Sequence, residues 1–313
     1  MPRWCLSDFE TIVELVDVIR ITALMATILN VALTLLVLGR DLQSRLHRVY
    51  VLWGISVTLW NLGVFELSRG ATEAAPALFW AKVLQLGVIF MPLTLFHLCA
   101  IISGVKTNFL LPLLYVVHSG FAVCLFQGWF ITGVRLTAAG YWSVPGPAFK
   151  WYGAFYIILT IALVTMLYQK QKISPPTQRT RLRALLLAIV GLWVFGTNDL
   201  IPILSDVQEP VVKYPFTQIQ FYPMGSLAAL FYVVIIGYSV LQHRLLDIHV
   251  TLSRFAAQFV RLVFMFLIGF TLLLAIQHFG PDKAFTSFSF GAAIVVLLAS
   301  ALFASLLFPQ FFG

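Results

Sequence analysis

The chain has 313 residues, 60% of them hydrophobic and 10% charged. A soluble domain is roughly 45–50% apolar and about 25% charged, so there is too little charge here to coat a water-soluble surface. The net charge of +8 would fit a nucleic-acid partner in a soluble chain, but here the bases sit in short loops between apolar runs, where they mark membrane orientation instead.

A helix needs about 20 apolar residues to cross a bilayer, and nine runs approach that length. They lie at Ile21–Leu38, Val49–Ser68, Ala77–Ser103, Phe109–Phe126, Trp151–Tyr168, Leu182–Leu204, Phe221–Leu241, Ala257–Gln277 and Phe288–Phe308. The fold expected is therefore all-α, a polytopic transmembrane bundle of about nine spans. Acidic residues and a polar stretch precede the first span, so the N-terminus lacks a signal-peptide pattern.

Connections alternate in charge. Gly39–Arg48 carries Arg40, Arg45 and Arg48, and the turn Gly104–Asn108 carries Lys106. Gln169–Arg183 carries Lys170, Lys172, Arg179, Arg181 and Arg183, and Arg244, Arg254 and Arg261 lie around the seventh-to-eighth connection. The acids Asp8, Glu10, Glu14, Glu73, Asp206, Glu209 and Asp282 fall on the other face. This predicts an outside N-terminus and a cytoplasmic C-terminus. Two outside segments are long. Gln127–Lys150 contains Trp129, Tyr141, Trp142, Pro145 and Pro147, and Ser205–Gln220 contains Pro210, Tyr214 and Pro215. Their aromatics suit either an interfacial belt or a lid over an outward-facing pocket.

Enzyme signatures are absent: there is no Gly-rich phosphate loop, no H-E-x-x-H and no G-x-S-x-G. No catalytic residue is assigned, and no metal or cofactor is expected. The three cysteines, Cys5, Cys99 and Cys124, have no paired spacing. Among six histidines only His97 and His118 fall at membrane depth. A haem held between them would need both at one level, whereas each hydrogen-bonding to a neighbouring helix needs nothing further.

Ionisable groups inside a membrane are costly and point to function. Glu66 and Lys82 flank a short outside loop at similar depth, where they could pair. Asn198 and Asp199 precede Pro202, which lacks a donor for the carbonyl of Asn198. Trp60 and Asn61 lie a little deeper. These residues describe either an outward-facing polar pocket among spans two, three and six, or an ion pair and interhelical hydrogen bonds that lock the bundle. After the seventh span, Arg244, Leu245, Leu246 and Asp247 form a basic-amphipathic segment for the cytoplasmic interface. It is a candidate for signal coupling.

Here the residues take on a family pattern. The run from Tyr238 to Ile248 resembles the end of the seven-helix sensor region at the N-terminus of bacterial histidine kinases. Trp53, Trp60, Leu62 and Gly63 resemble its W-x6-W-x-L-G pattern, and Trp80, Lys82, Gly87, Pro92 and His97 resemble its W-x-R…G…P…H pattern. Lys82 stands where arginine is usual, and the two are not equivalent in bidentate recognition. Asn198, Pro202 and Pro223 fit its sixth and seventh helices. The resemblance covers about residues 20–250.

It implies a sensor domain over residues 1–250 and, over 251–313, an additional transmembrane hairpin leading to a cytoplasmic output domain that these residues do not include. It also implies a signalling module in the bacterial inner membrane. Its partners would be the lipid bilayer, a small or lipophilic ligand, a kinase domain in the same polypeptide, a response regulator through it, and a second copy in a homodimer. Candidate ligand-binding residues are Trp60, Asn61, Glu66, Lys82, His97, Asn198 and Asp199. Two other readings remain open: a small-molecule transporter with a midplane site, and a lipid-modifying membrane enzyme that would gather His97, His118 and Asp199.

Overall fold

The computed structural model of the chain describes residues 6–38, 43–69, 74–137, 140–199 and 224–243. They form seven helices and one β-hairpin. The helices are α1 (Leu6–Leu38), α2 (Arg45–Ser68), α3 (Ala74–Ser103), α4 (Leu110–Phe126), α5 (Pro147–Ile173), α6 (Pro176–Asn198) and α7 (Gly225–His243), with strands β1 (Ile131–Thr137) and β2 (Gly140–Pro145) between α4 and α5. Five helices, α1, α2, α3, α5 and α6, are long and apolar enough to cross a membrane, and α4 is a shorter apolar helix. The chain divides into residues 1–239 and 240–313. Expected spans eight and nine, the Ser205–Gln220 segment, Pro202, Pro223 and the Arg244–Asp247 segment lie outside the described residues.

Helix ends follow local chemistry. Proline stands at the first helical position of both α5 and α6, where its missing N–H costs nothing. Gly104 ends α3 at φ +64°. Its N–H donates to Ile101 O at 3.1 Å and that of Val105 to Ala100 O at 3.0 Å, the paired closure that a left-handed residue permits. At the α5–α6 junction Arg179 donates to the carbonyls of Gln171 and Lys172, both at 3.2 Å. A cation thus meets the negative end of α5.

Packing is close where side chains are small or polar. Asn30 on α1 donates to Gly54 O at 2.6 Å and Thr58 Oγ1 at 2.8 Å on α2, the kind of interhelical bond that replaces hydrophobic drive inside a bilayer. Between α2 and α3, a methyl group on Gly63 would lie 2.5 Å from Leu84 Cβ, and one on Gly87 2.5 Å from Ser56 O. Only glycine admits this approach. Outward faces carry exposed apolar residues such as Trp151, Ile158 and Ile161 on α5.

The hairpin departs from the all-α expectation. Its strands pair antiparallel, from Thr137 with Gly140 to Ile131 with Pro145. It is built into one end of the bundle: Phe130, Phe149 and Tyr152 form an aromatic cluster with ring centroids 5.2–6.2 Å apart, packed with Leu67, Ala77 and Ala81 of α2 and α3. Ring pairs of this geometry add about 0.5–1.5 kcal/mol each beyond area burial.

Candidate functional site

Under the hairpin lies a cavity of about 100 Å³. One water needs about 10–15 Å³ on this measure, so the space takes several waters or one small compound. Its walls come from six helices and one strand of the hairpin. Ile19 belongs to α1, and Trp60, Val64, Leu67 and Ser68 to α2. Leu84, Gln85, Val88 and Met91 come from α3, and Tyr141, Trp142 and Ser143 from β2. Tyr152 and Tyr156 come from α5, Gly196 and Asp199 from the end of α6, and Ser226 from α7.

Asp199 is the residue after α6. Its Oδ1 accepts from the Met224 N–H at 2.8 Å and its Oδ2 from the Gly225 N–H at 2.9 Å, while Asn198 Nδ2 donates to Oδ1 at 3.3 Å. The carboxylate thus caps the N-terminus of α7 from another helix. Anions are favoured there because the first N–H groups of a helix lack internal partners. Gly225 has no room for a side chain: a methyl group would run into Asp199 Oδ2 and lie 2.6 Å from Trp60 Cζ2. Trp60, Asp199 and the start of α7 therefore form one contact set on the cavity wall.

Two further ties shape the walls. Gln85 Nε2 donates to Ser143 Oγ at 3.2 Å, joining α3 to the hairpin, while Gln85 Oε1 is buried with no partner among the described residues. Pro92 lies inside α3 and has no N–H for the carbonyl four residues earlier. That carbonyl, Val88 O, accepts from the Tyr152 hydroxyl at 2.5 Å instead.

The candidates read from sequence fall into separate places. Trp60 and Asp199 line the cavity, and Asn198 braces Asp199. Asn61 is fully buried, with Nδ2 donating to Val57 O of its own helix at 3.0 Å and Oδ1 unpartnered. It does not line the cavity. Glu66 pairs with Arg69 at 3.2 Å on the same helix, in place of the expected Lys82. Lys82 is also off the cavity wall. His97 is twelve residues beyond Gln85 on α3, about 18 Å along the helix. There its Nδ1 meets Tyr115 Oη at 2.9 Å and its Nε2 meets Arg45 at 3.3 Å.

His118 bonds to Leu114 O of its own helix at 2.7 Å and stands edge-on to Phe155, so it shares no partner with His97 or Asp199. The convergence that a lipid-modifying enzyme would need is not formed. Among the described residues no group of three or more His, Cys, Asp or Glu is placed to hold a metal ion. α6 ends at Asn198, and Pro202 lies outside the described residues.

Sequence reasoning missed Gln85, Ser143, Tyr152 and Tyr156 as cavity residues. Tyr141 and Trp142, read from sequence as aromatics of a belt or a lid, line the cavity.

Comparison with known proteins gives one match. Residues 22–249 match the family described as the N-terminal 7TM region of histidine kinase. Neither a curated protein nor a solved structure matched the chain. With a helical bundle of several membrane-length helices and a match over residues 22–249 of 313, the chain belongs to the N-terminal seven-transmembrane region family of histidine kinases.

Proposed function

We propose that the chain is the signal-receiving membrane module of a bacterial two-component histidine kinase, with the cavity as its ligand site and α7 as the element that carries the signal. The observation that supports this is the double role of Asp199, which lines the cavity and holds the N-terminus of α7. A ligand shifts a two-state equilibrium only by binding one state better than the other. An occupant touching Trp60 and Asp199 would act on the groups that fix where α7 begins.

The direction of the relay follows from charge. Lys106, Lys170, Lys172, Arg179 and Arg183 cluster with Arg45 and Arg48 at the ends of helices remote from the hairpin, which favours that end as cytoplasmic. The hairpin and cavity then face outward, the N-terminus is outside, and the membrane is the bacterial inner membrane. α7, at 19 residues, is about 28 Å long, close to the roughly 30 Å of a bilayer core. It would deliver movement at the cavity to the Arg244, Leu245, Leu246 and Asp247 segment on the other side. From there the path runs through residues 251–313 to a kinase domain in the same polypeptide, working as a homodimer and phosphorylating a response regulator.

The test is autophosphorylation of the full-length gene product in inner-membrane vesicles. Blotting with an antibody against residues 127–150 should show a band far above the mass of these 313 residues, labelled by ATP. Trp60→Ala should change the basal level of labelling while membrane insertion is kept. A band at the size of this chain alone, or labelling indifferent to Trp60, overturns the proposal.

A further inference from the structure

The sensor reading leaves the chemistry of the ligand open, and the cavity wall narrows it. We infer that the cavity binds a small organic cation, a protonated amine on a compact apolar or aromatic body. The inference rests on the cavity being the ligand site.

Three features agree. Asp199 brings a carboxylate to the wall, and among the described residues its partners are neutral donors: two backbone N–H groups and the Asn198 amide. An ionised carboxylate offers about four lone-pair sites, so the three donors among the described residues leave at least one open. The α7 N-terminus supplies only about half a positive charge, so the donors among the described residues do not neutralise an ionised Asp199. Gln85 Oε1 is a second acceptor, unpartnered among the described residues in a residue that is 1% exposed. Both groups ask the occupant for donors.

The remaining wall is aromatic. Trp60, Tyr141, Trp142, Tyr152 and Tyr156 present rings around one space, and ring faces attract a cation through their quadrupole. No Lys, Arg or His is among the described residues that line it. An anion would be repelled at Asp199. A purely apolar ligand would leave Gln85 unpaired and strip water from the carboxylate without replacing it. Ammonium chemistry could reach the site as a free amine or as the headgroup of phosphatidylethanolamine.

The experiment uses the full chain purified in detergent, titrated calorimetrically with benzylammonium and with benzyl alcohol, its neutral counterpart of similar shape. Benzylammonium should bind saturably and at least about tenfold tighter than benzyl alcohol, the loss of one hydrogen bond to a charged group being worth about tenfold to a hundredfold. Asp199→Asn should erase that preference. Gln85→Met, which keeps the volume and leaves α7 untouched, should weaken benzylammonium severalfold even where Asp199→Asn fails to fold.

Equal binding of the two probes, no saturation by benzylammonium, or an amine preference unchanged in folded variants would overturn the inference. Equal binding that is lost in Trp60→Leu would overturn the cation assignment alone and leave the sensor reading, which stands or falls on autophosphorylation. Nanodiscs of phosphatidylglycerol with and without phosphatidylethanolamine separate the sources. Added phosphatidylethanolamine lowers the apparent benzylammonium affinity if the headgroup enters, and has no effect if the ligand is a free amine. Either result keeps the ammonium chemistry.

Discussion

Tyr152→Phe removes one oxygen, and its cost is set by a residue on another helix. Pro92 deprives Val88 O of its helical donor, and the Tyr152 hydroxyl replaces it across the α3–α5 contact. Without the hydroxyl the carbonyl is unpaired, and a buried unpaired acceptor costs about 1–3 kcal/mol. Val88 lies on the cavity wall, where water can partly substitute, so about 1–2 kcal/mol is expected. In the Pro92→Ala background residue 92 regains an N–H for Val88 O, and the same change should cost little. SDS-induced unfolding in mixed micelles of the two single variants and the double variant gives the coupling directly. Additive costs, with Tyr152→Phe equally harmful in both backgrounds, would refute the reasoning, as would a Tyr152→Phe that is harmless in both.

Two further outcomes are expected. Tyr232→Phe should leave stability unchanged or raise it slightly in the same assay, because its hydroxyl is buried with no partner among the described residues while its ring sits 4.5 Å from that of Trp53. A loss above about 1 kcal/mol would mean the hydroxyl is bonded after all. Gly87→Ala should destabilise by about 1–3 kcal/mol, since its new methyl would lie 2.5 Å from Ser56 O and 2.6 Å from Trp60 N, both backbone atoms that cannot swing away. Gly120→Ala on α4, where nothing lies within 4 Å, should instead be neutral or gain up to about 1 kcal/mol from helix propensity; equal effects at the two glycines would dismiss the close α2–α3 approach.

Spans were legible because their signal is cumulative. A run of apolar residues of membrane length survives any local error, and Ser68, Ser103 and Phe126 end helices both as read from sequence and in the fold. The hairpin was not read. The β-branched residues Ile131, Thr132 and Val134 around Gly133 and the aromatic pair Tyr141 and Trp142 carried a strand signal, but Trp and Tyr in an outside loop also fit a membrane interface. Asp199 and Trp60 were legible by cost, since a carboxylate at membrane depth needs a reason. Gln85, Tyr152 and Tyr156 carry no formal charge and sit in apolar runs, so nothing local separates them from filler. Their role depends on which helices meet. Glu66 went astray for a related reason: equal depth permits a partner on the next helix, but Arg69 three residues on needs no tertiary geometry to reach it.

The contacts along α7 divide in a way that bears on how a signal would pass. Trp60 abuts Gly225, and Trp53 stacks on Tyr232. Both steps are seven residues, falling on α2 and rising on α7, so the two helices run antiparallel with matched contacts two turns apart. Only the upper contact touches the cavity, together with the Asp199 cap. The lower one is formed by two rings that are at most 1% exposed, out of reach of any occupant. On the proposed reading, a ligand that shifted Trp60 or Asp199 would move one end of α7 while the ring contact about 10 Å below it held. Such a relay would convert a small displacement at the cavity into a tilt of α7 rather than a slide along its axis. A slide would need the Trp53–Tyr232 stack to break, at a cost of about 0.5–1.5 kcal/mol beyond the buried area, whereas a tilt keeps it.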